Sequence, residues 1–154
     1  METVKLYYED AYIKEFDATV VSCRKSDKNN KTWLIELDRT AFYPEGGGQP
    51  ADVGEIFASG SKKNILKKVS VTDVQEKDGQ ILHYCDAEIE PGTIVHGTID
   101  WERRFDRMQQ HSGEHIVSGM ICEAFNCDNV GFHMGSDITT IDYNADITEE
   151  ELLK

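Results

Sequence analysis

The sequence has no apolar run approaching the roughly 18 residues that span a bilayer. Its N-terminus, from Met1 to Tyr8, lacks the basic region and the apolar stretch of a secretory signal peptide. Cysteine is scarce as well, because the 4 cysteines among 154 residues are scattered and form no Cys-x-x-Cys pair. A secreted disulfide-stapled domain has a denser pattern. These absences predict a reduced, cytoplasmic protein that has no membrane partner.

Positive charge is also in short supply. The chain has 16 Lys and Arg against 29 Asp and Glu, a formal net charge of -13. Because phosphate binding depends on Lys and Arg, this balance excludes a broad nucleic-acid surface and predicts weak binding of nucleic acid by the chain. Local basic clusters of the kind usually found on solvated surfaces occur at three places. They are Lys62-Lys63, Lys67-Lys68, and Arg103-Arg104 with Arg107.

Short β-rich segments separated by turn residues dominate the first hundred residues. Strands with regular turns of this kind are typical of a small barrel or a strongly curved sheet. The separating segments carry Gly, Pro, Asp and Ser, the residues that tight turns favour. Six strands are predicted, at residues 16–24, 32–37, 53–58, 69–75, 81–85 and 93–99.

The periodicity becomes helical after Asp100, which is a plausible N-cap for a helix over residues 101–125. Two short strands follow at 130–134 and 139–143, and Thr148 with Glu151 forms a capping box for a last helix. The fold class is therefore α+β. We expect an N-terminal small β-barrel-like module at residues 1–90 and an α/β module at 91–154. Because the last helix has too few residues to be stable alone, we expect the protein to continue past Lys154.

Two histidines lie one turn apart on the predicted helix. His111 and His115 are spaced so that both imidazoles can bind one ion at Zn–N distances of about 2.0–2.1 Å. The same spacing fits two half-exposed histidines that bind no metal. With Glu114 the residues read His-x-x-Glu-His, the pattern of inverted zinc proteases, in which Glu114 would be the general base. All three interpretations stay open at this point.

Three consecutive glycines, Gly46, Gly47 and Gly48, precede Gln49. Such a run sacrifices side-chain packing and chain entropy, so it has no intrinsic reason to lie in a strand. One hypothesis is a flexible hairpin connection. The other is a mobile loop whose bare backbone lets a substrate approach closely, with Gln49 offering a donor and an acceptor at its tip. His133, on the strand after the helix, can face the same pocket or serve a structural role.

The two motifs together resemble a known family. The segment Thr40-Ala-Phe-Tyr-Pro-Glu-Gly-Gly-Gly-Gln-Pro-Ala-Asp-Val-Gly54 is followed by Arg104-x-x-Arg-Met-x-x-His-Ser-x-x-His115. This pair, in this order, resembles the editing domain of alanyl-tRNA synthetases and the free-standing alanyl-tRNA editing proteins. The likeness covers residues 31–154. It implies a glycine-loop β-barrel module followed by an α/β module of the type that threonyl-tRNA and alanyl-tRNA synthetases share.

The resemblance also implies an activity and a partner. The expected enzyme is an aminoacyl-tRNA deacylase that hydrolyses the ester joining serine or glycine to tRNA(Ala), so mischarged tRNA(Ala) is the expected partner. An editing site is needed because a small pocket cannot firmly exclude an isostere that merely adds a hydroxyl. The catalytic candidates, able to hydrogen-bond a serine hydroxyl, are Thr40 and Gln49. The substrate-binding candidates are Gly46, Gly47, Gly48, Arg104 and His133.

Zinc is the cofactor that the resemblance implies. In the family, the ion is held by His-x-x-x-His and by a later Cys-x-x-x-His. His111 and His115 match the first pair, but no cysteine here is followed four residues later by histidine. We therefore expect a zinc half-site, with further ligands beyond Lys154, and little activity from this chain alone.

Two functions from other classes remain as alternatives. One is a non-catalytic tRNA-recognition module of an alanyl-tRNA synthetase, and the other is the zinc protease. ATP activation by this segment is not expected, because the glycine triplet lacks the Lys-Ser/Thr and the helix of a P-loop.

Overall fold

The computed structural model describes residues 2–27, 31–59 and 66–153. The basic cluster at Lys62-Lys63 lies outside the described residues, as does part of the polar turn between the first two predicted strands. The chain forms two compact units. Unit 1 comprises Met1–Glu45 with Ala51–Arg104, and unit 2 comprises Gly46–Pro50 with Phe105–Lys154.

Unit 1 is a closed antiparallel barrel of six strands, which confirms the α+β class with a barrel module. The strands are β1 (Val4–Lys5), β2 (Glu15–Lys25), β3 (Trp33–Leu37), β4 (Arg39–Thr40), β5 (Gly54–Ser59), β6 (Leu66–Lys77), β7 (Gln80–Cys85) and β8 (Ile94–Ile99). The order around the barrel is β2-β3-β7-β6-β5-β8, and β8 pairs with β2 to close it. A short parallel pair, β1 with β4, accompanies the barrel and was not predicted.

The barrel interior is filled by alternate side chains of these strands. In β2, Phe16, Ala18 and Val20 are buried while Asp17 is exposed, as the two-residue period of a strand with one wet face requires. Phe16 packs edge-to-face on Phe42, which is 0% exposed. Because a closed barrel has no unpaired edge, its backbone groups pair internally. The residues that flank the glycine loop, Glu45 and Ala51, belong to this hydrogen-bonded barrel unit.

Unit 2 contains most of the long helix α1 (Trp101–Phe125), whose first four residues belong to unit 1. Asp100 caps α1 as predicted, because its Oδ1 accepts the Arg103 N–H at 3.2 Å. The chain continues through an antiparallel pair, β9 (Asn129–Met134) and β10 (Thr139–Tyr143), to a short helix α2 (Glu149–Leu152). The domain division predicted at residue 90 stays a prediction. Along the described ranges, no helix is both long enough and apolar enough to cross a membrane.

Candidate functional site in unit 2

The glycine triplet forms a tight two-residue turn. Gly46 N–H donates to the Gln49 carbonyl at 3.1 Å, and Gln49 N–H donates back to the Gly46 carbonyl at 3.0 Å. Between them, Gly47 and Gly48 have φ angles of +60° and +80°. Two successive positive φ values match a type I′ turn, which glycine adopts without steric cost. The hairpin hypothesis therefore describes the backbone well, and Gln49 is the first residue after the turn.

Gly48 is also required by its surroundings in unit 2. A Cβ added there would lie 2.3 Å from the backbone oxygen of Phe132 in β9, closer than real Cβ contacts allow. The carbonyl of Gly48 accepts the Met134 N–H at 3.0 Å, so the turn is tied to the same strand. A bare backbone is therefore needed here because the protein's own β9 approaches closely.

Gln49 and the two helix histidines meet at one pocket. The Gln49 side chain is 5% exposed, and its Oε1 lies 2.8 Å from Nδ1 of His111. The rings of His111 and His115 stack with centroids 5.0 Å apart and an interplanar angle of 18°. The pocket has a volume of about 230 Å³ and is lined by Gln49, Met108, His111, Ser112 and His115. The structure thus brings together three sequence-predicted site residues that lie as far as 66 positions apart (115 − 49).

Glu114 is buried beneath this pocket in a polar network. Its side chain is 4% exposed, and its Oε1 accepts the Ser118 hydroxyl at 2.6 Å and the Asn129 amide at 2.6 Å. The Ser118 hydroxyl also contacts the Tyr143 hydroxyl at 3.1 Å. A carboxylate held by two donors and closed off from solvent is poorly placed to act as a general base, which argues against the protease alternative. Sequence reasoning missed Ser118 and Asn129, although the spacing of Glu114 and Ser118 marks a helix-face pair.

Three side chains offer donors for one cation. Ligand atoms of His111, Glu114 and His115 all lie within 4.8 Å of one another. Two imidazoles and a carboxylate are a donor set that zinc accepts. Each imidazole also has its Nδ1 next to an oxygen, Gln49 Oε1 for His111 and Glu114 Oε2 for His115, which leaves Nε2 as the available ligand atom. The residues present therefore fit a zinc ion through the two histidines.

His133 lies apart from this group of donors. It is exposed in β9, next to Phe132, whose ring lies 5.4 Å from the ring of His111. Because neighbouring side chains of a strand point to opposite faces, His133 points away from the side of β9 that meets His111. Among the described residues, His133 does not line the pocket. The same alternation rule would have identified Phe132 as the β9 side chain near the histidines.

In unit 1, Thr40 is 0% exposed and belongs to a closed hydrogen-bond network. Nδ1 of His83 lies 2.9 Å from the Ile35 carbonyl, which only accepts, so Nδ1 carries the proton. Nε2 of His83 is then an acceptor, and the Thr40 hydroxyl donates to it at 2.8 Å. The same hydroxyl accepts the Phe42 N–H at 3.1 Å. Burial lowers the pKa of His83 to about 4, so the ring is neutral at physiological pH.

Arg104 is also buried in unit 1. Its side chain is 4% exposed, its Nη1 pairs with Oδ2 of Asp52, and its guanidinium lies over the Tyr43 ring at 5.4 Å. The same Asp52 oxygen accepts the Tyr43 N–H at 2.7 Å, while Asp52 N–H donates to the Tyr43 carbonyl at 2.9 Å. Burial raises the pKa of Asp52, and Arg104 opposes that shift. The two hydrogen bonds between Tyr43 and Asp52 therefore hold together the two chain segments on either side of the glycine turn.

Comparison with known proteins gives relatives over nearly the whole chain. An alanine–tRNA ligase from Pyrococcus furiosus is 41% identical over 152 residues, which is 96% of this chain and 15% of the ligase. The alanyl-tRNA editing protein AlaX-L of Pyrococcus horikoshii is 38% identical, covering 93% of this chain and 34% of that protein. AlaX-M of Methanosarcina barkeri is 33% identical, covering 97% of this chain and 59% of that protein. The chain therefore spans between about one seventh and three fifths of the length of these relatives.

A family profile agrees with these pairwise matches. The profile described as tRNA synthetases class II (A) matches residues 2–103, the barrel and the start of α1. The match covers well over half of the chain, and the pairwise relatives extend it through the histidine helix. The chain belongs to the class II (A) tRNA synthetase family, and its pairwise relatives carry the names of the proteins that its two motifs resemble, alanine–tRNA ligase and alanyl-tRNA editing protein.

Proposed function

We propose that this chain contributes hydrolytic editing of mischarged tRNA(Ala), the release of serine or glycine from the tRNA ester. The observation that carries the proposal is the contact between Gln49, at the end of the glycine turn, and His111 of the His-x-x-x-His helix. This contact joins the two motifs on which the resemblance rests, and it supports the proposal that both serve one site. Relatives named alanyl-tRNA editing protein and alanine–tRNA ligase support the assignment.

The pocket suits a small acyl group. Its volume of about 230 Å³ lies below the roughly 300–1,000 Å³ of sites for drug-sized ligands. Its wall combines the side-chain amide of Gln49, the hydroxyl of Ser112 and two imidazoles, so it offers donors and acceptors to a polar amino acid. The nucleotide part of a tRNA end would have to bind outside this pocket.

Each residue of the pocket has a distinct role in this proposal. His111 and His115 would hold a Zn²⁺ ion, which would position the ester or lower the pKa of a bound water toward neutrality. Gln49 fixes the ring of His111 and lines the pocket with its amide. Ser112 also lines the pocket and carries a hydroxyl that can donate or accept a hydrogen bond.

The other sequence-predicted site residues remain proposals with different structural support. Thr40 and Arg104 have partners inside the barrel unit, where the hydroxyl of Thr40 bonds His83 and the guanidinium of Arg104 bonds Asp52. Gly46, Gly47 and Gly48 shape the turn that carries Gln49. His133 is exposed, which leaves it accessible to a substrate group outside the pocket.

A deacylation assay tests the proposal on the full-length gene product. Release of serine from Ser-tRNA(Ala) and of glycine from Gly-tRNA(Ala) should be fast, while Ala-tRNA(Ala) should be spared. Gln49→Met keeps the side-chain volume but removes the amide. Loss of one well-placed polar contact in the transition state should slow deacylation by roughly 100- to 1000-fold.

The matched control is Gln109→Met, at an exposed position of α1, which should keep the wild-type rate. Unchanged hydrolysis by Gln49→Met would remove Gln49 from the reaction. If the wild-type protein binds tRNA(Ala) but releases neither serine nor glycine, the non-catalytic recognition module becomes the correct function.

A further inference from the structure

The same ring nitrogen is engaged in both helix histidines. Nδ1 of His111 lies 2.8 Å from Oε1 of Gln49. Nδ1 of His115, whose side chain is 74% exposed, lies 3.5 Å from Oε2 of Glu114, which is too long for a good hydrogen bond but within the range of an electrostatic contact. Since both neighbours are acceptor oxygens, each one favours a proton on Nδ1. A neutral imidazole carries one N–H, so Nε2 of each ring keeps its lone pair.

Glu114 is held in place for this role by its other oxygen. Its Oε1 accepts the Ser118 hydroxyl and the Asn129 amide, both at 2.6 Å, so the carboxylate cannot rotate freely. Asn129 also donates to the Ser118 oxygen at 3.0 Å, which joins the two donors. With one oxygen occupied in this way, the remaining oxygen faces His115.

Gln49 is held by the backbone in a comparable way. The reciprocal bonds of the Gly46–Gln49 turn fix its main chain, and the turn is tied to β9 through the Gly48 carbonyl. The side chain is 5% exposed, so its amide has little freedom to turn around. Gln49 and Glu114 thus approach the two stacked rings from different parts of unit 2.

We propose that Gln49 and Glu114 are positioning residues that set both His111 and His115 as Nδ1–H tautomers, which leaves the Nε2 lone pair of each ring available to a divalent cation. This inference rests on the proposed function only for the use of the cation. It assigns Glu114 the role of orienting His115 rather than that of a ligand or a base. The shorter contact makes Gln49 the stronger of the two positioning residues.

The tautomers are measured directly by long-range ¹H–¹⁵N correlation spectra of metal-free protein labelled with ¹⁵N-histidine, at a pH where the imidazoles are neutral. Both His111 and His115 should show a protonated Nδ1 and an unprotonated Nε2. In Gln49→Met, His111 should shift toward the Nε2–H tautomer, while the exposed His133 stays unchanged as an internal control. A protonated Nε2 in either helix histidine of the wild-type protein would overturn the inference.

The second measurement is Zn²⁺ affinity of the full-length gene product by competition with a chromogenic chelator. Loss of an orienting partner of a histidine ligand typically weakens metal binding about 10- to 100-fold, and we expect this for Gln49→Met and a smaller effect for Glu114→Gln. Gln109→Met, at an exposed position of the same helix outside the pocket, should retain the wild-type affinity. Equal affinity in all variants would contradict the positioning roles.

These readouts separate the inference from the proposed function. If the histidines show the expected tautomers but the protein fails to deacylate Ser-tRNA(Ala), the proposed function is refuted and the positioning roles stand. If the protein deacylates Ser-tRNA(Ala) but its helix histidines carry the proton on Nε2, the positioning roles are refuted and the proposed function stands. The wild-type tautomer measurement needs no variant, so misfolding of Glu114→Gln would not prevent the decision.

Discussion

Acid should destabilise the barrel through His83. The ring is 0% exposed, and burial lowers its pKa from 6.5 to about 4. The unfolded chain therefore binds a proton on this residue at a higher pH than the folded chain, and stability falls as the pH drops from 6.5 toward 4. The structure gives the reason: both ring nitrogens already have partners, and a second proton would place a donor against the Thr40 hydroxyl, which now donates to Nε2.

The size of the effect follows from the two pKa values. Between about pH 7 and about pH 5 the free energy of unfolding should fall by about 2 kcal/mol through this residue alone, and by about 3 kcal/mol below the folded-state pKa. Urea unfolding of the wild-type protein and of His83→Gln measures how much of this change in the free energy of unfolding comes from His83, because the glutamine amide does not titrate in this range. The variant should lose most of the slope between these two pH values, whatever its stability at neutral pH.

NMR titration of the His83 ring checks the same reasoning without a variant. The ring signals should stay in the neutral position down to the pH where the barrel begins to unfold. If His83 titrates near 6.5 in folded protein, or if His83→Gln keeps the full wild-type slope, the assigned network around Thr40 is wrong.

Two further substitutions test the packing around the loop. Gly48→Ala places a Cβ against the Phe132 oxygen at a positive φ, so it should destabilise unit 2 by at least about 1 kcal/mol. Gly46→Ala, with open space and no positive φ, should change stability by less than about 0.5 kcal/mol. Thermal unfolding compares the two variants, and equal effects would refute the turn geometry. Arg104→Met leaves the Asp52 carboxylate buried without its cation and should cost about 3–5 kcal/mol at neutral pH. The cost should shrink in acid, where Asp52 can be protonated, and exposed Arg24→Met is the control in the same denaturation series.

Local patterns were enough to predict the long helix and the six barrel strands of the fold. The helix at residues 101–125 was predicted with its Asp100 cap, since a 3.6-residue period and a capping side chain are both local signals. The six barrel strands were also predicted, because each is rich in β-forming residues and is bounded by turn residues. The parallel pair Val4–Lys5 with Arg39–Thr40 was missed. Two-residue strands carry no period, and their pairing depends on a contact 35 residues away (39 − 4).

The sequence motifs identified candidate site residues but not their contacts. Two motifs identified Gln49, His111 and His115, and the structure places them at one pocket. The burial of Thr40 against His83 could not be read from the sequence, because His83 lies 43 positions away on another strand and no local pattern distinguishes it from an exposed histidine. The same holds for Arg104, whose basic neighbours suggested a surface cluster while its own side chain pairs with Asp52 inside unit 1.

The glycine turn is held in one conformation although it consists of residues with a flexible backbone. Glycine costs chain entropy when it is ordered, so the turn must be held by other interactions. Here the two reciprocal Gly46–Gln49 bonds, the Gly48 carbonyl bond to β9 and the bond from Gln49 to His111 supply them. A polar group that is already in place when a reaction begins needs no reorganisation, which is the main source of electrostatic rate enhancement. Gly47 and Gly48, through their positive φ angles and the close approach of Phe132 to Gly48, allow the turn to bring Gln49 close to β9 and α1.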